Sequence, residues 1–479
     1  MSNPHVAIIG GGIAGLAAAY FLRDEPARVT VLEGSPRLGG KLTASEVAGV
    51  PVDAGAEALL RRRPEGTGLI SDVGLDGELV LPGTTASGIW SRGGLHPLPP
   101  RQFMGVPADL DALAGSGVLS PDGLSRARQD LDLPATARDG DVAVAAYVGA
   151  RFGPELVDRL VDPLLGGVYA GRSEQLSFEA TLGPLAAAAG SHRALSEAAA
   201  SVLPPPAPAR PGQPPAPRPA VFTTLASGLG ALPAAVAAAS GATVRTRATV
   251  RDLARTATGW RLTVGSAADP EFIEADAVVL ALPARPASRL LSGVAGASAA
   301  AAGLAAIEYA SMAIVTLAYP RSRFPAAQGP AAQARSGYLI PAVEGRAVKA
   351  VTFSTIKWPH LATGDDPIDI VRCSIGRIGE ESVLQRDDPD LIALATAELA
   401  EETGAQGAPV DSRVTRWGGG LPQYTVGHRD RVATIRAGVA AQPGLAVCGA
   451  AYDGIGIPAC IGTARGAADA IRRYLKEMA

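Results

Sequence analysis

The apolar positions of this chain come in short blocks whose period changes at each glycine-rich break. Residues 5 to 9, HVAII, form a nearly unbroken apolar run ahead of Gly10 and predict a short buried strand. Ile13 to Arg23 then carries small residues with Leu and Phe at the spacing of a packed helix, and Arg28 to Glu33 predicts a second strand. Strand, turn, helix and strand in that order are the layout of a doubly wound α/β unit.

The same style returns further along the chain. Leu229 to Ala239 predicts an Ala-rich helix, Thr243 to Arg247 and Trp260 to Val264 predict strands, and Asp276 to Pro283 predicts a buried strand. Gly444 to Tyr452 predicts another strand, followed by a Gly-rich turn and a helix from Gly462 to Leu475. The expected organisation is therefore an α/β domain in three pieces, residues 1–84, 220–289 and 411–479. A mostly helical subdomain is expected at 85–200 and a substrate-facing domain at 290–410. Residues 201–219 stand apart: nine of the sixteen from Pro204 to Pro219 are proline, which removes backbone donors and predicts a solvated linker or insertion.

Composition narrows the class. A chain of 479 residues that is 47% hydrophobic can build two or three domains with real cores. Its 43 basic and 46 acidic residues include no basic run longer than Arg61, Arg62 and Arg63, which argues against a nucleic-acid partner. The three cysteines, Cys373, Cys448 and Cys460, form no C-x-x-C, and the five histidines fall in no triad or ligand spacing. No metal and no disulfide framework are expected, and a reducing cytoplasm is the expected setting. The longest apolar stretch, Ala295 to Tyr319, is Ala/Gly-rich and interrupted by Glu308, so no membrane span is expected and only peripheral membrane contact is left open. The stretch VAIIGGGIAGLAAAYFL follows MSNPH, which lacks the basic cluster of a signal peptide.

Candidate chemistry begins at Gly10, Gly12 and Gly15, a G-x-G-x-x-G between strand and helix that suits close backbone approach to a pyrophosphate. Glu33, at the end of the second strand, can accept the ribose hydroxyls of an adenosine. The following EGSPRLGGKL supplies a second glycine turn, with Arg37, Gly39, Gly40 and Lys41 as candidate lining. That second turn points to FAD rather than NAD, because it lets the chain cross more of the cofactor.

Further segments appear in order: VDAGAEALLRRRPEG at 52–66, LHPLPPRQFMGVPADL at 95–110, DPLLGGVYAGRSEQLS at 162–177, FTTLASGLGALP at 222–233, LPQYTVGHRDRV at 421–432 and GLAVCGAAYDGIGIPACI at 444–461. On these segments the sequence is similar to the flavin-containing amine oxidase superfamily, and within it resembles the protoporphyrinogen/coproporphyrinogen oxidase family; GVYAG and PQYTVGH are specific to that branch. The resemblance covers the chain apart from the proline-rich insertion. It implies a Rossmann-like FAD-binding domain of the amine oxidase type with a discontinuous α+β substrate domain and a helical subdomain. It implies an FAD-dependent oxidation of a porphyrinogen in three two-electron steps, with dioxygen reduced to hydrogen peroxide, in haem biosynthesis.

The residues that the resemblance assigns to the cofactor are Gly10, Gly12, Ile13, Ala14, Gly15, Glu33, Gly34, Arg37, Gly40, Lys41, Gly55, Ala56, Glu57, Ala58, Val250, Ala450, Ile455, Gly456 and Ile457. Gly166, Gly167 and Tyr169 would form a slot for the flat macrocycle, the Gly167 carbonyl accepting a pyrrole N–H. Arg61, Arg172 and Lys357, with Arg62, Arg63 and Lys349, are candidate partners for substrate carboxylates. The family commonly has a Pro-Asp/Glu-Ser stretch where this chain has Ala56, Glu57 and Ala58, and an acid where it has Arg172. The absence of a spanning segment and the added charge of Arg172 favour coproporphyrinogen III over protoporphyrinogen IX. The alternatives are an amine oxidase, disfavoured by 4% aromatic content, and a flavin-free prenyl-protein-binding protein of the GDP-dissociation-inhibitor kind.

Overall fold

A computed structural model describes residues 3–205, 220–324, 335–362 and 367–478, so most of the proline-rich insertion lies outside the described residues. At its centre five parallel strands stand in the order Thr243–Arg245, Arg28–Leu32, His5–Ile9, Ala277–Leu280 and Leu445–Val447. Their continuous apolar runs follow from burial on both faces. Val6, Ile8, Val29 and Val31 point to a core shared with the helices Ile13–Phe21, Leu232–Ser240 and Ile457–Met478. Ala7, Ile9, Leu32 and Leu280 point the other way. There they meet the antiparallel meander Val250–Arg255, Trp260–Gly265 and Pro270–Ala275, together with the helices Ala284–Ser292, Ser298–Ala305 and His428–Ala440.

A second sheet has seven strands in the order Asp411–Pro422, Tyr309–Pro320, Ile368–Ile375, Val348–Phe353, Gly337–Leu339, Gly88–Ser91 and Gly94–Pro97. Helix Asp388–Thr403 packs on it through Leu391, Ala395 and Leu399. A third core is helical and includes Leu110–Ser116, Val144–Phe152, Asp162–Tyr169 and Leu195–Ser201. It is pinned by the buried carboxylate of Asp130. That side chain accepts from Arg151 Nε at 2.6 Å, from the backbone N–H groups of Leu195 and Ser196 and from the Ser196 hydroxyl.

Several boundaries differ from the sequence reading. Residues 411–422 pair with Tyr309–Pro320 as an edge of the seven-stranded sheet rather than joining the parallel sheet. Gly88–Ser91 and Gly94–Pro97, expected in a helical subdomain, extend the same sheet. Ser298–Ala305 packs with the parallel sheet's helices, so that core extends past residue 289. The last helix starts at Ile457, five residues before the expected Gly462. Pro458 in its first turn needs no donor there and has its φ already set for a helix. The apolar stretch 295–319 divides into a helix and a strand, and among the described residues no helix is long and apolar enough to cross a membrane.

Candidate functional site

The turn after the first strand is sterically specified. A Cβ on Gly10, whose φ is +111°, would stand 2.4 Å from the Ala281 carbonyl oxygen, and one on Gly15 would stand 1.9 Å from the Gly10 oxygen. Gly12 is different: among the described residues a Cβ there would meet nothing within 4 Å. Gly12 bridges to Gly39, the Gly39 N–H donates to Gly11 O at 2.8 Å, and a Cβ on Gly40 would be 3.4 Å from the Gly12 Cα. The two glycine turns therefore face each other, with open space over Gly12.

Helix Ile13–Phe21 starts from Gly12 with no side-chain cap, so its first-turn N–H groups, including those of Ile13 and Ala14, have no side-chain partner among the described residues. An uncapped helix start behind a glycine turn suits a phosphate anion. The Glu33 carboxylate closes one end of this turn, accepting from Gly11 N and Ser35 N at 2.7 Å each. Gly34 abuts Thr249, Ala248 N donates to Glu33 O, and Val250 opens its strand beside them. Arg37 is exposed and donates back to Gly40 O at 3.1 Å. Bare N–H groups, open space and a carboxylate at one end form a cradle that fits an adenine dinucleotide.

Beyond the second turn, Ala56 N donates to Lys41 O at 3.2 Å. The close approach requires Gly55, where a Cβ would be 1.9 Å from that oxygen. The Lys41 amine is largely buried, which lowers its pKa, and it interacts with Cys460, whose thiol burial pushes up to about 11. Ile13, Ala14, Ala56, Ala450, Ile457 and Cys460 share one core cluster, while Ile455 packs with the helical core and Gly456 is exposed. The structure thus brings together part of the predicted lining, from the N-terminal and C-terminal parts of the chain.

Glu57, next to Ala58, is the centre of an ion cluster. It accepts from Lys357 Nζ at 2.7 Å, from Arg372 Nη1 and from Ser354 Oγ at 3.4 Å, while Arg372 Nη2 donates to Gly55 O at 2.6 Å. Although burial alone would raise its pKa, Lys357 and Arg372 hold the Glu57 carboxyl down to about 2. Arg372 was missed by the sequence reading. Its signal was an arginine at the middle of the apolar strand Ile368–Ile375, a position that demands a buried partner.

The expected slot is the last turn of helix Asp162–Tyr169, where the carbonyls after Gly166 lack helical partners. Gly166 O accepts from Ala170 N at 2.9 Å, and Gly167 is exposed beside Leu339, 3.2 Å from where its Cβ would be. Tyr169 is buried, which pushes its phenol up to about 12 and keeps it protonated. Ala170 closes the helix at φ +50°, a left-handed conformation that costs a residue with a Cβ about 1–2 kcal/mol, and it is held by Ile378 N on Ala170 O at 2.8 Å.

The candidate cations have more local partners than expected. Arg172 donates to Glu380 Oε1 at 2.6 Å and to Ile378 O at 3.3 Å, so its added charge is met by a carboxylate. Lys357 is committed to Glu57, and Lys349 is buried, donating to Gly376 O at 2.6 Å with its pKa lowered to about 7 by burial and Arg377. Arg61 and Arg62 are exposed, and Arg63 pairs with Glu65. Among the described residues no group of His, Cys, Asp or Glu could hold a metal.

Known proteins similar to this chain share one family. The family model described as flavin containing amine oxidoreductase matches residues 13–472. A coproporphyrinogen III oxidase of Mycobacterium tuberculosis is 38% identical over 467 residues, covering 95% of each chain, and one of Bacillus subtilis is 31% identical over 98% of each. A crystal structure from Exiguobacterium, of a protein provisionally named protoporphyrinogen oxidase, superimposes with a TM-score of 0.84 at 28% identity and covers 99% of both chains. A putrescine oxidase structure, at 17% identity and a TM-score of 0.67, shares the fold.

Proposed function

The chain belongs to the flavin containing amine oxidoreductase family, and we propose that within it the protein is an FAD-dependent oxidase converting coproporphyrinogen III to coproporphyrin III with dioxygen as oxidant. The observation that carries this reading is the near end-to-end likeness to relatives of that name. The paired glycine turns and the GVYAG helix end supply compatible geometry.

In this reading Gly10, Gly12 and Gly15 let the backbone approach the cofactor's diphosphate, and the N–H groups of Ile13 and Ala14 donate to it. Glu33 accepts the ribose hydroxyls with lone pairs not used by Gly11 and Ser35, while Gly34 and Val250 flank the adenine. Arg37, Gly40, Lys41, the segment Gly55 to Ala58 and the turn carrying Ala450, Ile455, Gly456 and Ile457 enclose the remainder. Bound flavin supplies an acceptor for two electrons at a time, so three cycles complete the six-electron oxidation. The Gly167 carbonyl orients the macrocycle by accepting a pyrrole N–H, and Tyr169, protonated and buried, excludes water behind it. Arg172 and Lys357 face Glu380 and Glu57, so propionates are met chiefly by the exposed Arg61 and Arg62.

Glu33→Ala is expected to weaken FAD binding. Charge-assisted hydrogen bonds of this kind contribute about 1.5–3 kcal/mol, or roughly tenfold to a hundredfold in affinity. Flavin absorbance per polypeptide after dialysis measures it, and full retention would contradict the assignment. Anaerobic mixing with coproporphyrinogen III should bleach the flavin and produce porphyrin fluorescence. In detergent-free buffer its kcat/KM should exceed that of protoporphyrinogen IX severalfold, with the margin shrinking at high salt because surface charges are screened. Equal efficiencies, or a preference for protoporphyrinogen that salt leaves unchanged, would overturn the substrate assignment while leaving the flavin chemistry intact.

A further inference from the structure

Between the edge strand ending at Pro422 and helix His428–Ala440, one short segment touches both the GVYAG helix end and the turn before the last helix. On the first side, Gln423 Nε2 donates to Tyr169 O at 2.7 Å, the Tyr424 carbonyl accepts from Ser177 N at 2.8 Å, and Val426 N donates to Gln175 O at 3.1 Å. Gly171 makes room for this docking, since a Cβ there would lie 2.2 Å from Gln423 Oε1. On the second side, the Tyr424 hydroxyl donates to Ala450 O at 2.7 Å and accepts from Gly454 N at 2.8 Å.

His428 supports the same turn. Its Nε2 lies 3.1 Å from Tyr452 O, and because a carbonyl can only accept, Nε2 carries the hydrogen. Its Nδ1 is buried without a partner among the described residues, and burial holds the imidazole down to about 4, so the ring is neutral at physiological pH. The His428 ring stacks on Tyr424 at 3.8 Å and 14°, and Tyr424 meets Tyr169 at 5.5 Å. Tyr424 is 1% exposed, and burial raises its phenol far above the ordinary range.

We propose that Tyr424 is a positioning residue: its ring lies against Tyr169 of the GVYAG helix end, which its neighbour Gln423 holds, while its hydroxyl sets the turn Ala450 to Gly454, so one side chain fixes the separation of the substrate and cofactor walls. The inference rests on the reading in which 166–171 faces substrate and 450–457 encloses the flavin. Neither hydrogen bond of the hydroxyl can be made by phenylalanine, whereas the ring contacts with Tyr169 and His428 can. A misplacement of reacting groups by about 1 Å can cost about a hundredfold in rate, so a relaxed turn should be felt in kcat more than in binding.

Tyr424→Phe tests this. The variant should remain yellow, because the turn at Gly10 to Gly15 is untouched. It should show a shifted flavin absorption band and altered flavin fluorescence, and a kcat lower by about tenfold to a hundredfold with KM changed less than about threefold. A purely structural role would lower the melting temperature and leave the flavin spectrum and kcat alone, and that result overturns the proposal. If Tyr424→Phe does not yield folded protein, Gln423→Leu is measured in the same way. It releases the slot end, so the flavin spectrum should shift although residue 423 lies on the opposite side of the strut, and an unchanged spectrum overturns the idea. A wild-type protein that is colourless, or not bleached by porphyrinogen, would instead sink the functional reading itself.

Discussion

Gly15→Ala is expected to yield protein that carries little or no flavin and melts well below the wild type, whereas Gly12→Ala should melt normally and still bind flavin weakly. The contrast follows from what each added methyl meets. At Gly15 it would stand 1.9 Å from the Gly10 carbonyl oxygen and 3.1 Å from Ala281 Cβ, with backbone on one side and the residue that follows the strand Ala277–Leu280 on the other. Neither can yield as a flexible side chain could, so the cost should reach or exceed the upper part of the about 1–3 kcal/mol usual for overpacking, and the relieved structure would no longer hold the turn. At Gly12 φ is −73° and ψ is 174°, which alanine adopts freely, and among the described residues nothing lies within 4 Å of the added methyl. That methyl projects into the space assigned to the diphosphate. Thermal melts with flavin absorbance on both variants measure the difference. A Gly12→Ala protein with undiminished flavin affinity would remove the cofactor from this turn.

Glu57→Gln should be the most destabilising single polar substitution around the site. Glu57 is the carboxylate between Lys357 and Arg372, all three largely buried, and removing the negative partner leaves two cations facing a neutral amide. Breaking a buried pair in this way costs about 3–5 kcal/mol. The lowered pKa gives a consistent magnitude: from 4.5 in an unfolded chain to about 2 in the fold corresponds to about 3 kcal/mol. The sign follows from linkage. The folded pKa is depressed, so this stabilisation is complete above about pH 4.5 and disappears as pH falls towards 2. Urea midpoints of wild type and Glu57→Gln should therefore differ most at neutral pH and converge in acid. A constant gap from pH 7 to 3 would show that the carboxylate's charge is not the source.

Parts of the molecule that depend on local chemistry were legible in the sequence. The runs HVAII and AVVL predict buried strands because, His5 apart, nothing in them favours water, and the burial of Val6 and Val279 agrees. The glycine turn and Glu33 are close in sequence, so their spacing alone places them together. Longer-range features left weaker signals. Asp411–Pro422 contains Gly418, Gly419 and Gly420 and alternates little, and its pairing with Tyr309–Pro320 is a property of the partner strand. Lys357 and Arg172 read as free cations because the carboxylates that meet them lie 300 and 208 residues away. The last helix begins ahead of the expected Gly462 because Pro458, in a first turn, is compatible with it. Tyr424 stood inside a noticed motif, yet its role depends on two backbone groups in another loop.

The strand order of the parallel sheet also bears on how the protein is made. His5–Ile9 sits at its centre, yet the neighbour Ala277–Leu280 and the edge Leu445–Val447 are translated long afterwards, and helix Ile13–Phe21 is covered by Ile457–Met478. At about 5–20 residues per second of synthesis, the apolar face of that first helix waits on the order of tens of seconds for its partner. Throughout that interval the ribosome displays a glycine turn and an oily helix that cannot yet close. The emerging chain therefore carries that apolar face without its final cover until the last residues have been made.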